Sequence, residues 1–465
     1  MRGAVAAGHP LTAQIGAHVL RLGGNAVDAA VAAGFASWVT ESPLTGPGGG
    51  GFMLVHRARD RTTRLLDFFV TVPSGGADPG AMDAVDISFD GNTTQLFLIG
   101  AASVAVPGIP AGLELAHRRF GSLPWHRLVE PAAELARLGF ELTPTQAYLR
   151  GLLAAIVGPS PGVGAKMRFV DFAATLERIA DEGTSFFYTG DLARAVCEIA
   201  PQIAPQDLAS YRVITRRPVT TSFRGHRFMS NPPPASGGVL IAYGLGLLER
   251  RRRFEPADVV ETMRAQDAAR DSLFHSQLYR GGLVRRLVDA PSMTTHISVV
   301  DAEGNAASLS CSLGSGSGVV VPGTGVFLNN MLGERDLEGA NRAGSRLTSM
   351  MSPSICFAGG RPRLVLGSAG SARLRGAIMQ VVVNVLARGM SVREAVDAPR
   401  VHWDDGVVQA EGPPGPNGSF GDERVNQWPG QNLYFGGVNA VEVVADGSLA
   451  AAADPRRGGD SVVVE

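Results

Sequence analysis

Near the start of the chain, apolar residues recur at helical spacing. Leu11, Ile15, Val19 and Leu20 share one face of a helix over 11–24 that stops at Gly23-Gly24. A second helix, from Ala26 to about Val39, is apolar on nearly every side, which predicts burial between layers. After Gly46-Pro47-Gly48-Gly49-Gly50-Gly51 the pattern changes, and Phe52-Met53-Leu54-Val55-His56 and Leu65-Leu66-Asp67-Phe68-Phe69 read as strands. Helical periodicity returns at 110–120, 125–138, 237–249 and 257–279, separated by joints such as Gly158–Gly162 and Pro232-Pro233-Pro234. From 294 strands dominate, at 294–300, 306–313, 319–321, 325–328, 354–358 and 363–367. Helices at 372–388 and 391–397 and strands at 437–445 and 461–464 complete the chain. Helices ahead of strands, without regular βαβ alternation, predict an α+β protein with segregated layers.

Two of these strands form a hairpin, 294–300 and 306–313, joined by Asp301-Ala302-Glu303-Gly304-Asn305. Alternation puts Thr294, His296 and Ser298 on one face, and Ser308, Ser310 and Ser312 on one face of the return strand. A turn centred on residue 303 sets Thr294 opposite Ser312, His296 opposite Ser310 and Ser298 opposite Ser308. Spacing leaves two readings open: a half-exposed hairpin with hydroxyls facing water, or a hydroxyl nucleophile beside a second hydroxyl.

Composition narrows the classes. With 465 residues, 45% hydrophobic and 18% charged, the chain can build one large core or two to three domains, and wholesale disorder is excluded. A formal charge of −1 offers no reason to expect nucleic acid or an anionic membrane as partner. The opening residues lack an apolar leader core and no stretch is long enough to span a membrane, so a cytoplasmic location is expected. Cys197, Cys311 and Cys356 show no CxxC pair, and the histidines lack metal spacing, so neither a metal nor another cofactor is expected. Gly46–Gly51 matches GxGxxG, but a strand follows where a dinucleotide site needs a helix. Gly158-Pro159-Ser160-Pro161-Gly162 matches GxSxG, but prolines flanking the serine are incompatible with a nucleophile elbow.

Longer motifs carry more. Thr294-Thr295-His296-Ile297-Ser298-Val299-Val300-Asp301, then Gly318-Val319-Val320-Val321-Pro322-Gly323-Thr324-Gly325, resemble the γ-glutamyltranspeptidase family. So do Gly23-Gly24-Asn25-Ala26-Val27-Asp28, Gly48–Gly51-Phe52-Met53-Leu54-Val55, Arg346-Leu347-Thr348-Ser349-Met350, Leu366-Gly367-Ser368-Ala369-Gly370-Ser371 and Glu394-Ala395-Val396-Asp397-Ala398-Pro399-Arg400. The resemblance implies a four-layer αββα sandwich of the N-terminal-nucleophile hydrolase type, made as a precursor that cuts itself between Met293 and Thr294. The fragments, 1–293 and 294–465, would remain one intertwined domain, with further homo-oligomerisation left open. It makes Thr294 the nucleophile, Ser312 the hydroxyl that hydrogen-bonds it, and Gly370 and Ser371 the oxyanion hole.

The resemblance also shows where this chain departs from the family. The arginine that clamps the substrate carboxylate falls on Phe69, and an aromatic ring cannot replace a bidentate guanidinium. The asparagine that helps hold the α-amino group falls on Gly314, and the Ser-Ser pair becomes Thr348-Ser349. Glu334 remains as the acidic group for an ammonium, and Ser310 completes the residues expected around the substrate. Phe69 is expected to make the pocket more apolar. The implied activity is an autoprocessing threonine hydrolase or acyltransferase acting on a non-glutathione amide, a small molecule. Two alternatives stay open: a C–C bond hydrolase removing an oxalyl-type group in alkylproline antibiotic biosynthesis, and an uncleaved pseudoenzyme with a binding role.

Overall fold

The computed structural model describes residues 2–88, 94–270, 293–334, 342–371, 373–412, 420 and 423–465. Thirteen strands make two antiparallel sheets. In chain order they are β1 (Gly3–Ala7), β2 (Gly50–Arg57), β3 (Thr62–Phe68), β4 (Ile214–Arg216), β5 (Val219–Phe223), β6 (His226–Ser230), β7 (Met293–Asp301), β8 (Ala306–Gly314), β9 (Ser354–Ala358), β10 (Arg361–Ala369), β11 (Gly437–Val443), β12 (Leu449–Ala452) and β13 (Asp460–Val464). The first sheet has the order β13-β1-β7-β8-β2-β3-β4 and the second β12-β11-β10-β9-β6-β5. Strands from before and after Met293 therefore share both sheets, and in the first they interleave.

Helices cover the outer faces. Over the first sheet lie α1 (Pro10–Arg21), α2 (Ala26–Thr40), α3 (Ile109–Phe120), α4 (His126–Leu138) and α5 (Val170–Glu182). Over the second lie α6 (Gly237–Leu248), α7 (Pro256–Ala268), α8 (Arg373–Leu386) and α9 (Val392–Asp397). The order helix, sheet, sheet, helix is the expected αββα sandwich. All fifteen residues of α2 are buried, as its apolar sequence requires. Its start is set by Asn25, whose side chain accepts from the N–H groups of Val27 and Asp28 while Asp28 accepts from the Asn25 N–H.

Three expectations need correction. A strand, β1, opens the chain ahead of the helices; its Gly-Ala-Val-Ala-Ala sequence is buried on both faces, so no alternation marks it. Helix α7 ends at Ala268 rather than 279, with residues 271–279 outside the described residues. The hairpin's polar face does not meet water, because the second sheet covers it.

Candidate active site

The β7–β8 hairpin has the register read from its turn: Thr294 opposite Ser312, His296 opposite Ser310, Ser298 opposite Ser308. Asp301 fixes that turn. Its Oδ1 accepts from the N–H groups of Glu303 and Asn305, and its Oδ2 accepts from the Ala26 N–H at the start of α2.

Between the sheets the hairpin's polar face is hydrogen-bonded. The Ser298 hydroxyl donates to the Asn439 carbonyl at 3.0 Å, and the Ser308 hydroxyl to the Leu366 carbonyl at 3.0 Å. With its proton so used, Ser298 accepts from His296 Nε2 at 2.9 Å, leaving Nδ1 to accept from Ser310 at 2.8 Å. Burial pushes the His296 imidazole down to about 3, so it stays neutral. Ser310 is thus committed to an imidazole, and His296, with both nitrogens occupied, serves as a strut.

One group on this face has no such partner. The Thr294 hydroxyl is buried and makes no hydrogen bond among the described residues. The expected bond from Ser312 is absent: Ser312 Oγ accepts instead from the Gly314 N–H at 2.9 Å, closing a tight turn in which Gly314 takes φ +74°. The ladder's register shifts between Met293 and Thr294, the expected scissile bond. Bulges of this kind re-aim side chains beside active sites.

On one side of Thr294 the expected substrate residues continue in a row across the sheet. Ser312 pairs with Gly50, and a Cβ on Gly50 would stand 2.9 Å from Phe69 Cδ2, so the phenyl ring leans into the space that this glycine leaves. The ring stacks on Phe52 with centroids 5.3 Å apart and is 1% exposed. The segment around Thr348 runs antiparallel to Phe69-Val70-Thr71, with the Leu347 N–H donating to the Val70 carbonyl. Thr348 Oγ1 donates to the Pro234 carbonyl at 2.9 Å, and Ser349 Oγ accepts from the Met351 N–H at 3.1 Å. Arg346, which sequence reasoning gave no role, donates to the Phe69 carbonyl and pairs with Asp67, locking this segment. Glu334 is buried beside Gly314, where a Cβ would lie 2.5 Å from its Oε1.

On the other side a cleft opens at the end of the sandwich. Thr294 and Thr295 line it with Ala369, Glu41, Arg150 and Arg457. Of the residues expected at the site, Thr294 alone lines it, and Phe69 lies in the core instead of adding an apolar wall to it. Gly370 and Ser371 follow Ala369, with φ of +118° and +55°, and lead into α8. Their carbonyls accept from the N–H groups of Arg373 and Leu374.

Sequence reasoning missed Glu41, Arg150 and Arg457. The Thr295 hydroxyl donates to Glu41 Oε2 at 2.6 Å, and burial pushes the Glu41 carboxyl up to about 7. No local pattern marked these residues, which the fold gathers from distant parts of the chain.

The chain matches the gamma-glutamyltranspeptidase family over residues 12–290 and 266–464. It is 33% identical to a glutathione hydrolase proenzyme of Pseudomonas aeruginosa over 86% of this chain and 82% of that one. It is 32% identical to an acylase ACY 1 proenzyme of a Pseudomonas species over 100% of this chain and 94% of the relative. The fold superposes on a cephalosporin acylase from Bacillus halodurans with a TM-score of 0.82 at 24% identity, covering 100% and 96% of the two chains. No helix among the described residues is long and apolar enough to cross a membrane. With its sandwich of two sheets between helices and its family motifs in order, the chain belongs to the γ-glutamyltranspeptidase family of N-terminal-nucleophile hydrolases.

Proposed function

We propose that this protein is a precursor that cuts itself between Met293 and Thr294, and that the mature Thr294 is the nucleophile of an amide hydrolase or acyltransferase whose substrate is not a γ-glutamyl compound. In the precursor the Thr294 hydroxyl attacks the Met293 carbonyl. The peptide bond becomes an ester, and its hydrolysis frees the Thr294 α-amine. That amine, with a reference pKa of about 7.7–8.0, takes the proton from its own Oγ1 when the hydroxyl attacks a substrate carbonyl. His296 is an unsuitable base, since both ring nitrogens are bonded and burial keeps the ring neutral. Backbone N–H groups at Gly370 and Ser371, ahead of α8, supply donors for the oxyanion. Collapse of the tetrahedral intermediate expels the amine, protonated by the α-ammonium, and leaves an acyl ester on Thr294 for water or another amine to attack.

The observation that carries this reading is the buried Thr294 hydroxyl, left without a partner beside a cleft and at the register shift. Similarity to an acylase proenzyme over the full chain supports an amide substrate. The filled Phe69 position argues against glutathione, because the space for a clamping guanidinium holds a stacked ring. Denaturing electrophoresis tests the proposal. Two fragments, with a new N-terminus at Thr294, are expected in place of one 48.6 kDa band. One intact band from active protein, or a different N-terminus, overturns the assignment. Near-zero turnover of γ-glutamyl 4-nitroanilide is expected, and robust turnover overturns the substrate reading.

A further inference from the structure

The segment Gly318-Val319-Val320-Val321-Pro322-Gly323-Thr324-Gly325 takes no part in the chemistry of Thr294, yet the fold holds it firmly. The Thr175 hydroxyl, on α5, donates to the Thr324 carbonyl at 2.8 Å. Gly325 takes φ +65°, and a Cβ there would stand 2.7 Å from Phe172 Cβ, so the turn lies against α5 as only glycine allows. Held there, it contributes Val320 to the wall of a cavity of about 440 Å³, which Trp38, Pro43, Ile156, Phe172 and Phe327 also line. That volume falls within the roughly 300–1,000 Å³ of small-molecule sites, whose walls are mostly apolar and aromatic. Trp38 and Phe172 are both buried, with ring centroids 6.4 Å apart, so each fixes the other. Among the described residues of the wall, Arg150 alone is charged.

The place of this cavity gives it meaning. Ser42, Pro43, Arg150 and Phe169 line it and also line the cleft of Thr294, so the two spaces adjoin at these four residues. The other flank of Thr294 has no comparable room, because Phe69, Thr348 and Ser349 are buried there in packed surroundings. In acyl transfer the amine departs, while the acyl group stays esterified to the nucleophile until water or another amine arrives. The acyl group is therefore the half that needs a lasting seat beside Thr294, and the adjoining cavity has the space. An uncharged arm gains from burial against this wall, whereas a carboxylate would lose its water there.

We infer that the acyl half of the substrate is an uncharged arylalkanoyl group whose ring lies in this cavity. The inference rests on Thr294 being the nucleophile. Thr294 Oγ1 bonds to the acyl carbon, the amine leaves with a proton, and the ring makes and breaks no bond.

A series of 4-nitroanilides tests it: acetyl and propionyl against phenylacetyl, 3-phenylpropionyl and 4-phenylbutyryl, with the wild type and Val320→Trp. Val320 is 49% exposed, so an indole placed there enters the cavity from its rim and leaves the core in place. In the wild type the best arylalkanoyl substrate is expected to exceed acetyl by about 30-fold in kcat/KM, the range for burying one phenyl ring. Val320→Trp should reduce that ratio to less than about 3-fold, through KM of the arylalkanoyl substrates. An equal loss on both classes overturns the inference, because position 320 would then act on atoms common to all amides. Absence of preference in the wild type overturns it as well. Intact-mass detection of an acyl group on the fragment that starts at Thr294 separates the two readings. Acylation without arylalkanoyl preference rejects the cavity alone, whereas no acylation rejects the nucleophile. Should Val320→Trp fail to fold, wild-type inhibition decides: the best arylalkanoyl carboxamide must compete at least about tenfold more tightly than acetamide. Equal inhibition overturns the proposal.

Discussion

The two flanks of Thr294 differ in how completely the protein satisfies itself. Towards Phe69 most groups are satisfied, although Arg346 Nε makes no hydrogen bond and only an ion pair at 3.5 Å with Asp67. The ring is stacked on Phe52, the Thr348 hydroxyl is bound by Pro234, and Arg346 is held by Asp67 and the Phe69 carbonyl. Towards Arg457 they are less so: Arg457 Nε and Nη1 and Arg150 Nε have no acceptor among the described residues, although Arg457 Nη2 donates to the Leu433 carbonyl. Folding selects against unspent buried donors, and of those that remain only the ones bordering the cleft are placed where a ligand could complete them.

The largest effect tests the point where the flanks meet. Thr294→Ala should leave the chain uncut and lower amide turnover by at least about 10⁴-fold, judged by denaturing gel and anilide release. Thr294→Ser keeps a hydroxyl and should still be cleaved. If the alanine variant splits and turns over, neither flank borders the chemistry.

The next experiment separates the flanks directly. Phe69→Ala opens a cavity against Phe52 and should cost about 3–5 kcal/mol in urea unfolding. Arg457→Met should do the reverse: equal or higher stability, because an unpaired buried charge is removed. A Phe69→Ala variant as stable as the wild type would show that its flank is not core.

The contrast between the flanks follows from what the chain reveals locally. The hairpin pairing was legible because Asp301-Ala302-Glu303-Gly304-Asn305 sets the turn and period-two alternation does the rest. Phe69, Glu334 and Thr348 were reachable through motif positions. What covers the hairpin was not legible: two strands with serines outward imply water until Asn439, Leu366 and Ser354 arrive from a second sheet to bond them. β1 escaped because burial on both faces erases alternation, and the sandwich itself came from resemblance to long motifs. Nothing local distinguishes Arg457 from Arg456. Their difference lies in Glu411 and Asp454 reaching one guanidinium and missing the other, a tertiary fact.

Glu41 gives the smallest and most specific effect, because it belongs to the Arg457 flank yet is itself bonded. Burial raises its folded carboxyl pKa from 4.5 to about 7, so the folded state holds the proton more tightly than the unfolded one. The resulting stability is fully present below pH 4.5 and is lost as pH rises through 7. At pH 8 the loss is roughly 3 kcal/mol. Glu41→Gln cannot ionise. Its amide changes the bonds from Thr295 and Thr12, but that offset does not depend on pH. The difference in stability between variant and wild type should therefore move in favour of the variant between pH 5 and pH 8, by up to roughly 3 kcal/mol. His9 and His296, pushed down to about 4 and about 3 by burial, titrate alike in both proteins and cancel from the difference. Urea unfolding across that range measures the slope. A flat difference would mean that Glu41 is ionised throughout and neutralises Arg457, and the Arg457 flank would then be closed from within.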